Sequence, residues 1–260
     1  MCTVILLLRP GHDWPVLIAA NRDERLDRPW DPPGAFWPDQ PRVLAGRDRL
    51  ADGTWLAMQG AMVAAVLNRP GSLGPAPGKL SRGGLPLLAL RHATASGAAD
   101  AMLGLNGADY RSFNMVLADR RSAHFVRGTG RGTPEGFALQ PGLHVVTAHD
   151  PNDVDSPRAQ ALLPRFAAAD VPDPNLGNWS AWQALLVDSS GPRGVALNVP
   201  HEGGFGTICS SLIALSASDD PVWLFAAGPP DRTPFRLVQP SGYEAMFRDE
   251  IRDGSEAHRA

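Results

Sequence analysis

The N-terminal stretch MCTVILLLRPGHDWPVLIAANRDE (residues 1–24) decides how the rest of the chain is read. Val4 to Leu8 is an unbroken apolar run of strand length, the kind that is buried on both faces. Arg9 to Pro15 is turn-forming, and Val16 to Ala20 reads as a second strand. In an antiparallel hairpin, residues equidistant from the turn face each other. With the turn centred near His12, Cys2 falls opposite residues 21 to 23, within the polar cluster Asn21-Arg22-Asp23-Glu24.

That juxtaposition has chemical content. With Met1 removed, Cys2 carries a thiol (reference pKa about 8.5) and a free α-amine (about 7.7–8.0) on one residue. The amine is then a general base for the thiol near neutral pH. Arg22 beside it would favour the thiolate, and Asp23 would hold the amine. A second hairpin, Thr54 to Met58 and Met62 to Leu67, ends at Asn68, whose side-chain N–H would serve a developing oxyanion. Candidate substrate-binding residues are Asn21, the apolar Trp30 and Trp37 (with Phe36), and His149, which is followed by Asp150. Plainer readings stay open: a penultimate cysteine is often a small buried hydrophobe, and Asn-Arg-Asp-Glu at a strand end is often a solvated turn with surface ion pairs.

Working outward, Asp27 to Arg42 is a Pro/Trp-rich loop with the look of a lid or covering segment. Helices are expected at Leu85 to Ala95, Ala98 to Leu105, Ser156 to Ala169 (Ser156 as N-cap, Pro157 at the first position) and Ala181 to Val187. Strands are expected at Asn114 to Ala118, His124 to Arg127, Leu143 to Thr147, Thr207 to Leu215 and Val222 to Ala226. The charged tail from about residue 244 reads as a frayed helix. No repeat or low-complexity linker divides the 260 residues, so a single α+β domain with mostly antiparallel sheets and covering helices is expected.

Composition narrows the classes. A net charge of −3 with no basic run argues against nucleic-acid binding. Lys79 is the only lysine against many arginines, a compositional bias and not a phosphate site; PGSLGPAPGK lacks P-loop spacing because Lys79 is followed by Leu80. Two cysteines, Cys2 and Cys209, are too few for a disulfide framework. Cys2, Cys209, His144 and His149 lack any metal-ligand spacing, so neither metal nor cofactor is expected. With no secretory signal and no run of membrane-spanning length, the expectation is a soluble cytoplasmic protein. Nothing in the sequence sets an oligomeric state.

The blocks MCTVILLL…LIAANRDERLDRP, VLAGRDRLADGTWLAM, MVAAVLNRP and SRGG, in this order, resemble the NRDE family, also called the transport and Golgi organisation protein 2 family. FNMVLAD (residues 113–119) and GTICSS (residues 206–211) resemble later family blocks, so the likeness runs from residue 1 to about residue 238. The resemblance implies an N-terminal-nucleophile hydrolase fold, a four-layer αββα sandwich, whose broader cysteine branch includes penicillin V acylase and bile salt hydrolase. It also implies Cys2 as nucleophile and amine base, Arg22 and Asp23 as its charged neighbours, and Asn68 as oxyanion donor. Two positions depart from the pattern: His149, Asp150 or Asn152 occupies the region of a second asparagine, and Ile208 stands where many members have a late arginine. Two functions are therefore expected: a hydrolase of a C–N amide or related acyl bond in a small molecule, or a non-catalytic binding and trafficking protein for a hydrophobic ligand such as haem or an acyl lipid.

Overall fold

A computed structural model describes residues 2–239. In chain order its strands are β1 (Thr3–Leu8), β2 (Val16–Arg25), β3 (Trp30–Gly34), β4 (Leu44–Asp48), β5 (Leu56–Gln59) and β6 (Met62–Asn68). Helices α1 (Gly84–Ala89) and α2 (Ala95–Leu103) follow, then β7 (Phe113–Asp119), β8 (Ala123–Gly128), β9 (Glu135–Ala138) and β10 (Gly142–Val146). The order closes with α3 (Pro157–Ala168), α4 (Ser180–Leu186), β11 (Phe205–Leu215), β12 (Val222–Ala226) and β13 (Arg236–Leu237). The strands form a six-stranded sheet, β10-β1-β2-β11-β12-β13, and a seven-stranded sheet, β3-β4-β5-β6-β7-β8-β9. Every pairing is antiparallel.

Side-chain alternation along the strands sorts the apolar residues into three cores, and these define the layers. Leu6, Ile18 and Ile213 of the first sheet meet Val63, Val116 and Phe125 of the second in one central core. Ala64, Met115 and Leu117 on the far face of the second sheet are covered by α1 and α2 through Leu85, Ala98 and Met102. Ile5, Leu17 and Leu212 on the far face of the first are covered by α3 and α4 through Leu162, Phe166 and Trp182. The result is the expected αββα sandwich. Among the described residues no helix is long and apolar enough to cross a membrane.

Departures from expectation have local causes. The segment 27–42 is not a free lid: its Trp30–Gly34 part is the edge strand β3, where Pro32 and Pro33 are tolerated because an edge leaves N–H positions unused. The first expected helix stops at Ala89, since Thr94 starts a new one by accepting from the Gly97 N–H at 3.1 Å. Strand β9 gave no periodic signal because all four of its side chains are exposed. Ser156 caps α3 as expected, accepting from the Ala159 N–H at 3.2 Å. The tail expected to be helical from about residue 244 lies outside the described residues.

Gly46 on β4 has one packing role, to let the Trp55 ring lie across it. A Cβ there would sit 2.2 Å from the indole, and the bare backbone avoids that clash. Gly46→Ala should therefore destabilise the protein by about 1–3 kcal/mol as an overpacking change. Gly84→Ala, at the first residue of α1 with open space around it, should be neutral or stabilising by up to about 1 kcal/mol. Urea unfolding of the two variants checks this contrast; equal midpoints would refute it.

Candidate active site

Strand β2 lies between β1 and β11, with Thr3 paired to Asn21 and Asn21 to Ser210. Cys2 therefore stands beside Arg22 at the start of β1, as the hairpin register predicts. The pairing of β2 with β11 slips by one residue between Thr207 and Cys209. This bulge at Ile208 puts two consecutive side chains, Ile208 and Cys209, into the central core.

Arg22 points between the sheets, where it is 5% exposed. Its guanidinium lies over the Trp55 ring at 3.9 Å, and its Nη2 is 3.4 Å from Asp48 Oδ2 and 3.7 Å from Glu24 Oε2. Asp48 is shared: Oδ2 also accepts from Arg28 Nε at 2.6 Å, while Oδ1 accepts from the Leu50 and Ala51 N–H groups at 3.0 and 3.1 Å. Arg22 Nη1 is buried and has no hydrogen-bond partner among the described residues.

The neighbours of Arg22 face the other way, toward α3 and α4. Asp23 Oδ1 accepts from the Thr207 hydroxyl at 2.6 Å, and Oδ2 from Arg158 Nη1 at 3.1 Å in a pair shielded from solvent on both sides. The same Arg158 nitrogen donates to Thr3 Oγ1 at 3.1 Å, tying the first residues of β1 to α3. Asn21 Nδ2 donates to the carbonyls of Leu186 and Leu197, both at 3.1 Å, and Oδ1 accepts from Ser210 at 2.6 Å. The Asn21 amide thus joins β2 to the end of α4, a structural tie in place of the substrate contact expected for it.

Cys2 is partly exposed, and its Sγ–H donates to the Asp23 carbonyl oxygen at 3.6 Å. Burial, and next the Asp23 charge, push its thiol above the ordinary value, with Arg22 opposing only weakly. Arg22 favours the thiolate, as expected, but burial and the Asp23 charge outweigh it. Cys209, fully enclosed, is pushed up to about 12 by burial. Both cysteines are free. They flank Arg22 on strands two positions apart, roughly 9–10 Å at sheet spacing, beyond disulfide reach.

Cys2 opens onto a groove of about 900 Å³ between the end of β2, the β4–β5 turn, the end of β6 and the loop through residues 71–83. Arg22, Trp55, Asn68 and Arg82 share its lining with Cys2. The loop is seated by close main-chain approach: the Thr54 N–H donates to the Gly83 carbonyl at 2.9 Å, and a Cβ on Gly53 would lie 2.6 Å from the Gly83 carbonyl carbon.

The structure brings Cys2, Arg22 and Asn68 to one groove. It does not bring Trp30, Trp37 or His149 there. Trp30 packs edge-on against Trp55 and Phe225 in the central core, at 5.8 and 6.1 Å between ring centroids. Trp37 packs on the outer, α1/α2 side of the second sheet and edge-on against Phe36. His149 sits past β10, with Nδ1 3.7 Å from Asp153 and its carbonyl accepting from Asn114. Ile208 is apolar and buried and supplies no charge; the cations nearest Cys2 in the groove lining include Arg22, Arg28 and Arg82, while Arg158 lies behind β2 on Asp23. Sequence reasoning passed over Arg158, whose amphipathic helix gave no sign of a buried charge, and gave no role to Arg82, although it stands in the SRGG block.

The family model described as Transport and Golgi organisation 2 matches residues 1–170. No curated protein matches. Among solved structures, the Caenorhabditis elegans N-acylethanolamine-hydrolyzing acid amidase (NAAA) ortholog is similar over 92% of this chain and 100% of that one, with a TM-score of 0.56 and 13% sequence identity. At that identity the likeness establishes the fold, that of the N-terminal-nucleophile hydrolases. With its model matched over residues 1–170 of 260, the chain belongs to the Transport and Golgi organisation 2 family.

Proposed function

We propose that the protein is an N-terminal cysteine hydrolase that cleaves a C–N amide or related acyl bond of a small molecule, with Cys2 as nucleophile once Met1 is removed. The observation that carries this reading is the placement of Cys2 in the wall of a roughly 900 Å³ groove, directly beside a buried arginine with a donor that has no partner among the described residues. The amide hydrolysis named for the nematode protein of the same fold agrees with it.

In this scheme the Cys2 sulfur attacks the substrate carbonyl carbon while the thiol proton passes to the α-amine of the same residue. The tetrahedral oxyanion receives hydrogen bonds from Asn68 Nδ2 and a main-chain N–H. The C–N bond breaks as the ammonium returns its proton to the leaving nitrogen, leaving a thioester on Cys2. Water then attacks the thioester, the amine takes its proton, and a carboxylic acid departs with the thiol restored. Deprotonation accompanies attack in this order of events, so no resting thiolate is needed. Nη1 of Arg22, without a partner among the described residues, would donate to the acyl group, and a ligand there would relieve the cost of an unsatisfied buried donor, about 1–3 kcal/mol. The exposed leucines at the groove, Leu50, Leu73 and Leu80, favour a second reading, capture of a hydrophobic ligand without turnover.

A screen of N-acyl anilides and esters separates the two. Cys2→Ala should lower kcat/KM at least about a thousandfold, and Asn68→Ala should lower kcat about 10²–10³-fold. Turnover unaffected by Cys2→Ala would eliminate the hydrolase reading, and ligand capture without turnover by the wild type would install the second. Retention of Met1 in the active protein, seen by intact mass, would remove the amine as base. The pH dependence of Cys2 alkylation by iodoacetamide, in protein that retains Met1, tests the electrostatics. A thiol pKa raised above the ordinary value means a smaller thiolate fraction at pH 7 than in a model thiol. The rate should therefore start below that of the model thiol and keep rising past about pH 8.5. A plateau reached below that pH contradicts the assignment.

A further inference from the structure

We propose that the end of the groove formed by Lys79, Arg82 and Arg111 is a subsite for an anionic group, a carboxylate or a phosphate, on an amphipathic ligand whose acyl bond lies at Cys2. The inference takes from the hydrolase reading only which bond sits at Cys2; the binding claim stands without it.

Six cations line the groove, and they divide into two sets. Arg22, Arg25 and Arg28, on the β2 side, each have a carboxylate: Asp48, Asp27 and Asp48 respectively. Lys79, Arg82 and Arg111, on the loop side, have none among the described residues. They donate to neutral oxygens instead. Lys79 Nζ donates to the Ala108 carbonyl. Arg82 Nη1 reaches Ser72 Oγ at 2.8 Å and the Ser112 carbonyl at 2.9 Å. Arg111 holds the carbonyls of Gly71, Leu73 and Pro75 at 2.8–3.1 Å. These three positive charges thus have no carboxylate in contact among the described residues, and only Glu24, at longer range, acts on Arg82. Burial, and next the nearby Arg111 charge, bring Arg82 down to about 10, so it remains cationic at neutral pH while bearing a desolvation penalty that an anion would offset. Nε and Nη2 of Arg82 have no protein partner among the described residues, which leaves a guanidinium edge suited to a carboxylate or phosphate.

Leu73 and Leu80 flank these cations, each 59% exposed. Bare leucines beside uncompensated cations form an amphipathic surface, fitted to a ligand with an apolar chain and an acidic group. The competing account is that the three cations only stitch the 71–83 loop to residues 108–112 through main-chain carbonyls. Such stitching would be indifferent to the charge of a ligand.

Calorimetric titration of the wild-type protein with decanoate, decyl phosphate and decanamide discriminates. At least one anion should bind about tenfold or more tightly than the neutral amide, with an affinity that falls as salt rises. Arg82→Met and Lys79→Met should each weaken the anion about five- to tenfold and leave decanamide unchanged, while Arg82→Lys keeps most of the affinity. A preference for decyl phosphate assigns a phosphate, and one for decanoate a carboxylate. Equal affinity for all three compounds, or wild-type anion binding in both methionine variants, overturns the proposal. Lys79→Met keeps the test decisive if Arg82→Met fails to fold. Failure of the hydrolase reading would show as absent turnover of acyl substrates by the wild type and would leave this binding result untouched.

Discussion

Strand β2 is hydrogen-bonded along both edges, to β1 and to β11, and its side chains therefore have no choice of face. Alternation sends Arg22 between the sheets and sends Asn21 and Asp23 to the helical side. Three consecutive polar residues consequently cannot meet one ligand together. Arg22 reaches the groove, while Asn21 and Asp23 grip α4, α3 and β11 from behind. The bulge at Ile208 depends on the same constraint. Thr207 must face the helices to meet Asp23, and Cys209 must face the central core beside Arg22, so one residue has to be absorbed between them.

A buried guanidinium imposes the next requirement. Isolated in the sandwich, Arg22 would cost several kcal/mol of desolvation. The chain offsets this with Asp48, Glu24 and the face of Trp55. Trp55 lies where it does because Gly46 has no side chain, and Asp48 is oriented by the N–H groups of Leu50 and Ala51 and by Arg28. The blocks around residues 21–24, 45–48 and 53–55 thus form one packing unit at the mouth of the groove, although they lie on different strands and turns.

Much of this was legible from the chain. The hairpin register followed from turn position alone, and the apolar runs marked nearly all the buried strands. Ser156 and Pro157 announced α3. What alternation alone would have corrected was the treatment of Asn21, Arg22 and Asp23 as one surface. Other features were not readable because they are set by tertiary contact. Trp30 and Trp37 are aromatic enough for a groove, yet one is drawn into the central core by Trp55 and Phe225 and the other onto the outer helical layer. Arg158 lies in a helix whose pattern gives no hint that one charge faces inward, since only the depth of Asp23 makes that worthwhile. The sign of the Cys2 shift was also hidden: a neighbouring arginine suggests a low thiol pKa, but burial and Asp23 outweigh it.

That last reversal bears on how a nucleophile of this kind works. Intrinsic nucleophilicity of a thiolate falls as its pKa falls, so a cysteine strongly stabilised as an anion gives up reactivity for population. In the proposed hydrolase, a protonated thiol beside its own α-amine would avoid that exchange, because the base would be delivered by the same residue and at fixed distance. The requirement moves from tuning the sulfur to holding the first residues of β1 in place. Arg158 and Asp23 supply that hold from the helical side, through Thr3 Oγ1 and the Asp23 carbonyl that accepts from Sγ. The two faces of β2 therefore divide the work: one presents the groove, and the other fixes the start of β1 beside it.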